Sequence, residues 1–181
     1  HILLGFAHLL FVLALVMIVK STRKLLITVT AFTIAHSITL SLATLGVIHV
    51  PGPPVEAIIA LSIVFVATEI IHQRQGREGL ASRKPWIVAF AFGLLHGLGF
   101  AGALAEVGLP ENSIPLALLF FNIGVEIGQV LFIVAVLAVY HLAKKWNAGR
   151  FDLARLEPVP VYFIGGIASY WVFERVAGFW M

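Results

Sequence analysis

Six apolar stretches, each near the length of a bilayer-crossing helix, constrain this chain more than any other feature. Hydrocarbon holds no water to satisfy backbone amides, so a chain crosses it as helices or as a closed barrel. A helix needs about 20 residues for the crossing. Apolar runs between polar breaks place spans at His1–Val19, Leu25–Ile48, Val55–His72, Pro85–Val107, Ile114–Ala143 and Val159–Met181. The breaks are sharp. A basic turn, Lys20-Ser21-Thr22-Arg23-Lys24, ends the first span, and His49-Val50-Pro51-Gly52-Pro53-Pro54 ends the second, a segment that a helix traverses only at a cost. Pro85 suits a first helical turn. Of 181 residues, 60% are hydrophobic and only 12% charged, too little polar surface for a water-soluble domain. The expectation is an all-α polytopic membrane protein with six transmembrane helices, forming one domain over residues 1–181. The chain starts at His1 inside an apolar run, with no initiator Met or basic leader. His8 lies within that run and no small-residue cleavage site follows, so it is read as a true span whose upstream residues have been removed.

Loop charge sets the orientation. Lys20, Arg23 and Lys24 lie in the first loop, Arg74, Arg77, Arg83 and Lys84 in the third, and Lys144, Lys145, Arg150 and Arg155 in the fifth. The second and fourth loops carry no Lys or Arg. By the positive-inside rule the odd loops are cytoplasmic and both termini face the outer, periplasmic or extracellular, side. Trp86, Trp146 and Trp180 fall near the expected interfaces, where aromatic belts form. The formal charge of +3 is accounted for by these loops, and no nucleic-acid partner is expected. The chain has no cysteine, which excludes disulfides and thiolate metal sites.

Against this background His8, His36, His96, Asn122 and Glu126 stand out, because each interrupts an apolar span. A charge at the centre of a spanning helix costs roughly 2.5–3.5 kcal/mol on insertion scales, and ionisable groups at that depth usually face a bundle interior or a wet cavity. At about 1.5 Å of rise per residue, His8, His36, His96, Asn122 and Glu126 fall in one layer, from the midplane to somewhat outside it. Glu69, at the deeper end, is a further candidate. Asn122, Glu126 and Gln129 are spaced four and three and so stack on one helix face. Thr33, His36 and Ser37 share a face of the second span, and His1 lies two turns above His8 at the outer mouth. Gly93 and Gly97 bracket His96 as a small-xxx-small pair that lets a neighbouring helix approach closely. Each signal also has a plain structural explanation: a lone intramembrane His is as readily an interhelical hydrogen-bond partner, Glu126 with Asn122 is as readily a pair holding helices together, and His72 next to the basic loop fits an interfacial residue.

The ordered segments resemble those of the HupE/UreJ family, membrane proteins named for hydrogenase and urease accessory functions. The resemblance runs through Gly5-Phe6-Ala7-His8-Leu9-Leu10-Phe11, Phe32-Thr33-Ile34-Ala35-His36-Ser37, Val55-Glu56, and Ser62-Ile63-Val64-Phe65. It continues through Phe92-Gly93-Leu94-Leu95-His96-Gly97-Leu98-Gly99-Phe100 and Phe121-Asn122-Ile123-Gly124-Val125-Glu126-Ile127-Gly128-Gln129. It implies a nickel or related divalent-metal permease in a membrane, for a bacterial protein the inner one, that supplies metal for enzyme maturation. The family pattern has Asp where Ala7 stands, so this chain lacks one carboxylate at the outer mouth.

Two mechanisms follow. In a permease, His8, His36, His96 and Glu126 are the metal ligands, supported by Ser37, Asn122, Gln129 and Glu69. Imidazole and carboxylate without thiolate suit Ni²⁺ or Co²⁺ held weakly enough to leave again. In the alternative, an intramembrane hydrolase, three histidines hold Zn²⁺ with an open position for water, and Glu126 is the general base toward a lipid or peptide. The partners expected are the lipid bilayer and the metal ion, with further copies of the chain in a homo-oligomer as an option.

Overall fold

The computed structural model describes residues 2–107, 113–147, 156 and 158–180. Its elements, in chain order, are α1 (Ile2–Ile18), α2 (Thr22–Thr44), α3 (Gly52–Arg74), the single turn α4 (Leu80–Arg83), α5 (Pro85–Val107), α6 (Ile114–Asn147) and α7 (Pro158–Ala177). No strand occurs among the described residues. Four helices are long and apolar enough to cross a membrane: α2, α3, α5 over Pro85–Gly102, and α6. α1 is apolar but shorter, at 17 residues. α7 has 20 residues, with Arg175 in its last turn, and is not among the four.

Helix ends differ from the hydropathy pattern for identifiable reasons. α2 stops at Thr44, not Ile48, because Gly46 takes φ +75°. The Gly46 amide then donates to the Ala43 carbonyl and the Val47 amide to the Leu42 carbonyl, the paired bonds of a Schellman cap. Gly76, at φ +79°, ends α3 in the same way, with Gly76 donating to Gln73 and Arg77 to His72. α3 begins at Gly52, so Pro53 and Pro54 lie inside its first turn instead of in the break before it. There the missing amide hydrogens cost no helical bond. α6 runs on past Ala143 to Asn147, 34 residues in all, which at about 1.5 Å per residue exceeds a hydrocarbon layer of about 30 Å.

α1 occupies the middle, packing on α3, α5, α6, α7 and α2, while α2 packs most extensively on α5 and α3 on α7. Phe11, Leu15 and Ile18 of α1, Ile63 and Val66 of α3 and Ile164 of α7 are buried in one cluster. Glu56 near the start of α3 pairs with Arg175 of α7 at 3.0 Å and ties two helix ends together. α6 packs on α2 and α1 and leaves Leu119, Phe120, Ile123, Ile127 and Leu131 exposed, the surface that lipid contact requires.

Candidate functional site

The centre of the bundle is set by a close approach of α2 and α5. A Cβ at Gly93 would lie 2.5 Å from the Phe32 carbonyl oxygen and 3.0 Å from Ala35 Cβ. At Gly97 it would collide with Thr39 Oγ1 and the His36 carbonyl oxygen. Only glycine lets the two backbones meet here, and Thr39 Oγ1 seals the contact by donating to the Leu94 carbonyl at 2.7 Å. His96 lies between the two glycines and is thereby carried against α2, where its ring meets that of Phe32.

α1 adds His8. Its ring centroid is 6.1 Å from that of His36 and 5.9 Å from that of His96. His36 and His96 are fully enclosed, at 0% exposure, and His8 is at 7%. Phenyl rings fill the space between the imidazoles. Phe32 lies 5.0 Å from His8 and 5.1 Å from His96, Phe11 5.0 Å from His96, and Phe100 5.3 Å from His36. A cleft of about 410 Å³ opens beside this cluster; Phe6, Leu9, Phe100 and Val125 line it, and His8 and Gln129 supply its polar lining.

Hydrogen bonds determine which imidazole nitrogens are free. His96 Nδ1 faces the Phe92 carbonyl at 2.9 Å. A carbonyl only accepts, so Nδ1 carries the hydrogen and Nε2 keeps a lone pair. Asn122 Nδ2 donates to the Leu118 carbonyl at 2.8 Å, which turns Asn122 Oδ1 toward His36 Nδ1 at 3.4 Å. His36 therefore also holds its hydrogen on Nδ1. His36 Nε2 and His96 Nε2 are buried and meet no hydrogen-bond partner. His8 is bonded differently: its Nε2 faces Gln129 Nε2 at 2.8 Å, and its Nδ1 is buried without a partner.

The remaining candidates divide. Asn122 and Gln129 reach the histidines, and Thr33 Oγ1 donates to Gln129 Oε1 at 2.9 Å. Glu126 is turned to α2, where Thr30 Oγ1 donates to its Oε1 at 2.8 Å, and its Oε2 is buried and unpaired. Its hydrogen bond is thus to Thr30 and not to a histidine. Ser37 Oγ bonds back to the Thr33 carbonyl at 2.6 Å and points at its own helix. Glu69 is not in the layer: its Oε2 accepts the Ala81 amide at 2.9 Å, so it caps α4, and it lies so close to Gly79 that a Cβ there would overlap it. Ala7 is buried in the apolar cluster at 5% exposure. His1 lies outside the described residues. Among the described residues no group of three His, Cys, Asp or Glu side chains is placed so that it could hold a metal ion; the imidazoles of His36 and His96 each lie near that of His8, but the three are not a ligand set.

Sequence reasoning missed Thr33 as a partner of Gln129, and it missed the phenyl rings. The rings had a signal. Phe11 follows His8 by three residues, Phe32 precedes His36 by four, and Phe92 and Phe100 flank His96 by four on either side, so each shares its histidine's helix face.

The family model for HupE / UreJ proteins matches residues 1–175 of the chain. Searches of curated proteins and of solved structures each gave no match.

Proposed function

Since the chain belongs to the HupE/UreJ family, we propose that it is a permease for a divalent transition metal of the nickel type, with Ni²⁺ or Co²⁺ as substrate. One observation carries this proposal: His36 and His96, on two helices locked together by glycine, each hold a buried Nε2 lone pair with no partner. Leaving a buried polar atom unsatisfied costs about 1–3 kcal/mol, and two neutral imidazole lone pairs at one depth are what a borderline divalent ion binds. In both cases the hydrogen bond at Nδ1 fixes the ring and leaves Nε2 basic, the usual arrangement behind a metal-ligating histidine.

The loose assembly of the three rings also fits carriage. A transported ion must bind well enough to enter and weakly enough to leave, and a ligand set that closes only around its ion meets both demands. In this proposal the chain spans the bacterial inner membrane six times with both termini outside, so the histidine layer lies between the midplane and the outer face. Glu126 Oε2 is the nearby carboxylate oxygen left to offset charge, and Ala7 withholds a second. No observation favours the hydrolase alternative.

The test is metal binding and cellular nickel uptake by His36→Ala and His96→Ala, each checked for folding by its thermal transition. Both variants are expected to fold, to lose bound metal and to abolish uptake. Normal uptake in both would refute the proposal.

A further inference from the structure

The helices that meet at Gly93 and Gly97 run parallel, since Gly93 faces Phe32 and Gly97 faces His36 one turn further along both. Carried back about two turns in the same register, the contact reaches Lys24 near the start of α2 and Pro85, the first residue of α5. Lys24 shares a helix face with Thr28 and Ala35, and Ala35 lies against Gly93, so Lys24 stands on the side of α2 turned to α5. Lys84 immediately precedes α5. The first and third loops thus bring Arg23, Lys24 and Lys84, all exposed, to one end of one helix pair.

These cations lack a counter-charge within the fold. Glu69 and Glu78 lie at the same end, and both are engaged: Glu69 accepts the Ala81 amide at 2.9 Å, and Glu78 is 4.0 Å from Arg83. Among the described residues no carboxylate pairs with Arg23, Lys24 or Lys84. Apolar surface adjoins them directly. Ile27 on α2 and Trp86 and Phe90 on α5 are exposed, and Trp86 and Phe90 share one face of their helix. A ligand that suits both surfaces carries an anion at one end and hydrocarbon at the other. We infer that this end of the α2–α5 seam is a binding site for an anionic phospholipid. Lys24 and Lys84 take the phosphate diester, Arg23 flanks it, and the acyl chains lie along Ile27, Trp86 and Phe90. A headgroup of neutral polyol fits; choline does not, because it sets an ammonium among like charges. On the topology proposed above the lipid belongs to the inner leaflet, and its phosphate joins the ends of the two helices that carry His36 and His96. The site is independent of the permease proposal and stands or falls without it.

The experiment uses the full chain in detergent micelles, titrated with phosphatidylglycerol or with phosphatidylcholine of the same acyl chains. Native mass spectrometry reads the first bound lipid, and thermal unfolding is followed on the same samples. Wild type is expected to bind the first phosphatidylglycerol at least about tenfold more tightly than phosphatidylcholine. One basic side chain at an anionic lipid surface is worth about fivefold in affinity. The double variant Lys24→Gln/Lys84→Gln is therefore expected to lose about 25-fold in that first step, and phosphatidylglycerol no longer to raise its melting temperature. Lys144→Gln/Lys145→Gln removes the same formal charge from the end of α6 and is expected to stay within about twofold of wild type. All four side chains are exposed, so both double variants are expected to unfold near wild type in lipid-free micelles. Should Lys24→Gln/Lys84→Gln fail to fold, the two single variants carry the test, each with an expected loss of about fivefold.

Equal losses in the two double variants would reduce the site to diffuse positive charge and overturn the inference. Unchanged affinity in Lys24→Gln/Lys84→Gln, or equal affinity of wild type for the two lipids, overturns it as well. So does displacement of bound phosphatidylglycerol by an excess of glycerophosphoglycerol, its soluble headgroup, because the cations would then serve a soluble phosphate and not a lipid.

Discussion

Gly93→Ala tests whether the site depends on the α2–α5 contact. The added Cβ would lie 2.5 Å from the Phe32 carbonyl oxygen, against 3.4 Å for ordinary contact. The obstacle is backbone, not the end of a flexible side chain, so the two helices must separate by close to an ångström. Overpacking of this kind costs about 1–3 kcal/mol, partly offset by the roughly 1 kcal/mol that Ala gains over Gly inside a helix. The functional cost is larger. Metal–ligand distances tolerate only about 0.2 Å of error, and His96 is three residues along the helix being displaced, while His36 is on the other. Metal affinity and nickel uptake are expected to fall about 10- to 100-fold, the range seen when groups supporting a ligand are disturbed. Gly124→Ala is the control. A Cβ there meets nothing within 4 Å, so the variant is expected to gain slightly in thermal stability and to keep its uptake. The assays are thermal unfolding in nanodiscs and uptake of radioactive nickel by cells producing equal amounts of each protein. Wild-type affinity and uptake in Gly93→Ala would refute the dependence of the site on this contact.

Three further outcomes are expected. Ala7→Asp places a carboxylate in a nearly closed apolar position, so the metal-free protein is expected to melt lower than wild type, and saturating nickel to raise its melting temperature more than it raises that of wild type, since a ligand stabilises according to its affinity; an equal or smaller rise would count against a metal site beside His8. Glu69→Gln loses the charged acceptor for the Ala81 amide and is expected to cost about 1 kcal/mol, as other lost caps do, with faster amide exchange in α4 and unchanged uptake. Loss of uptake would place Glu69 in the pathway after all. A double-mutant cycle on Glu56 and Arg175, whose side chains are 27% and 30% exposed, is expected to give a coupling of about 1 kcal/mol or less, because partial exposure screens the pair. A much larger value would show the pair to be desolvated in the membrane.

His8, His36 and His96 stood out in the sequence because imidazole is costly in hydrocarbon, and the structure buries all three, with the His8 ring near both others. Asn122 and Gln129 were legible as one face of a helix. What each bonds to was not, since Asn122 meets His36 only through the crossing of α6 over α2, and helical periodicity says nothing about which helices touch. The partner of Glu69 was not legible because it is α4, a single turn of four residues with no periodic signal of its own. The end of α2 at Gly46 carried a recognisable stop signal, but Val47 and Ile48 beyond it continue the apolar run and conceal it. Hydropathy marked six segments, while α1 and α7 depend for their place on neighbours: α1 is central by contact with five helices, a property of the assembly and not of the segment.

The phenyl rings around the imidazoles have a kinetic consequence. A benzene face offers water no strong hydrogen bond, so the surroundings of the imidazoles, where Phe11, Phe32 and Phe100 pack against the histidine rings, hold water poorly, and a dewetted constriction blocks hydrated ions without any charge barrier. On the proposed function, an ion in the cleft meets His8 and Gln129, its polar lining, and the Phe100 ring, which lines the cleft and lies 5.3 Å from the His36 ring. If the chain carries metal as proposed, the rate at which His36 and His96 load would be governed by how often that ring swings aside, and the equilibrium affinity by the nitrogens behind it.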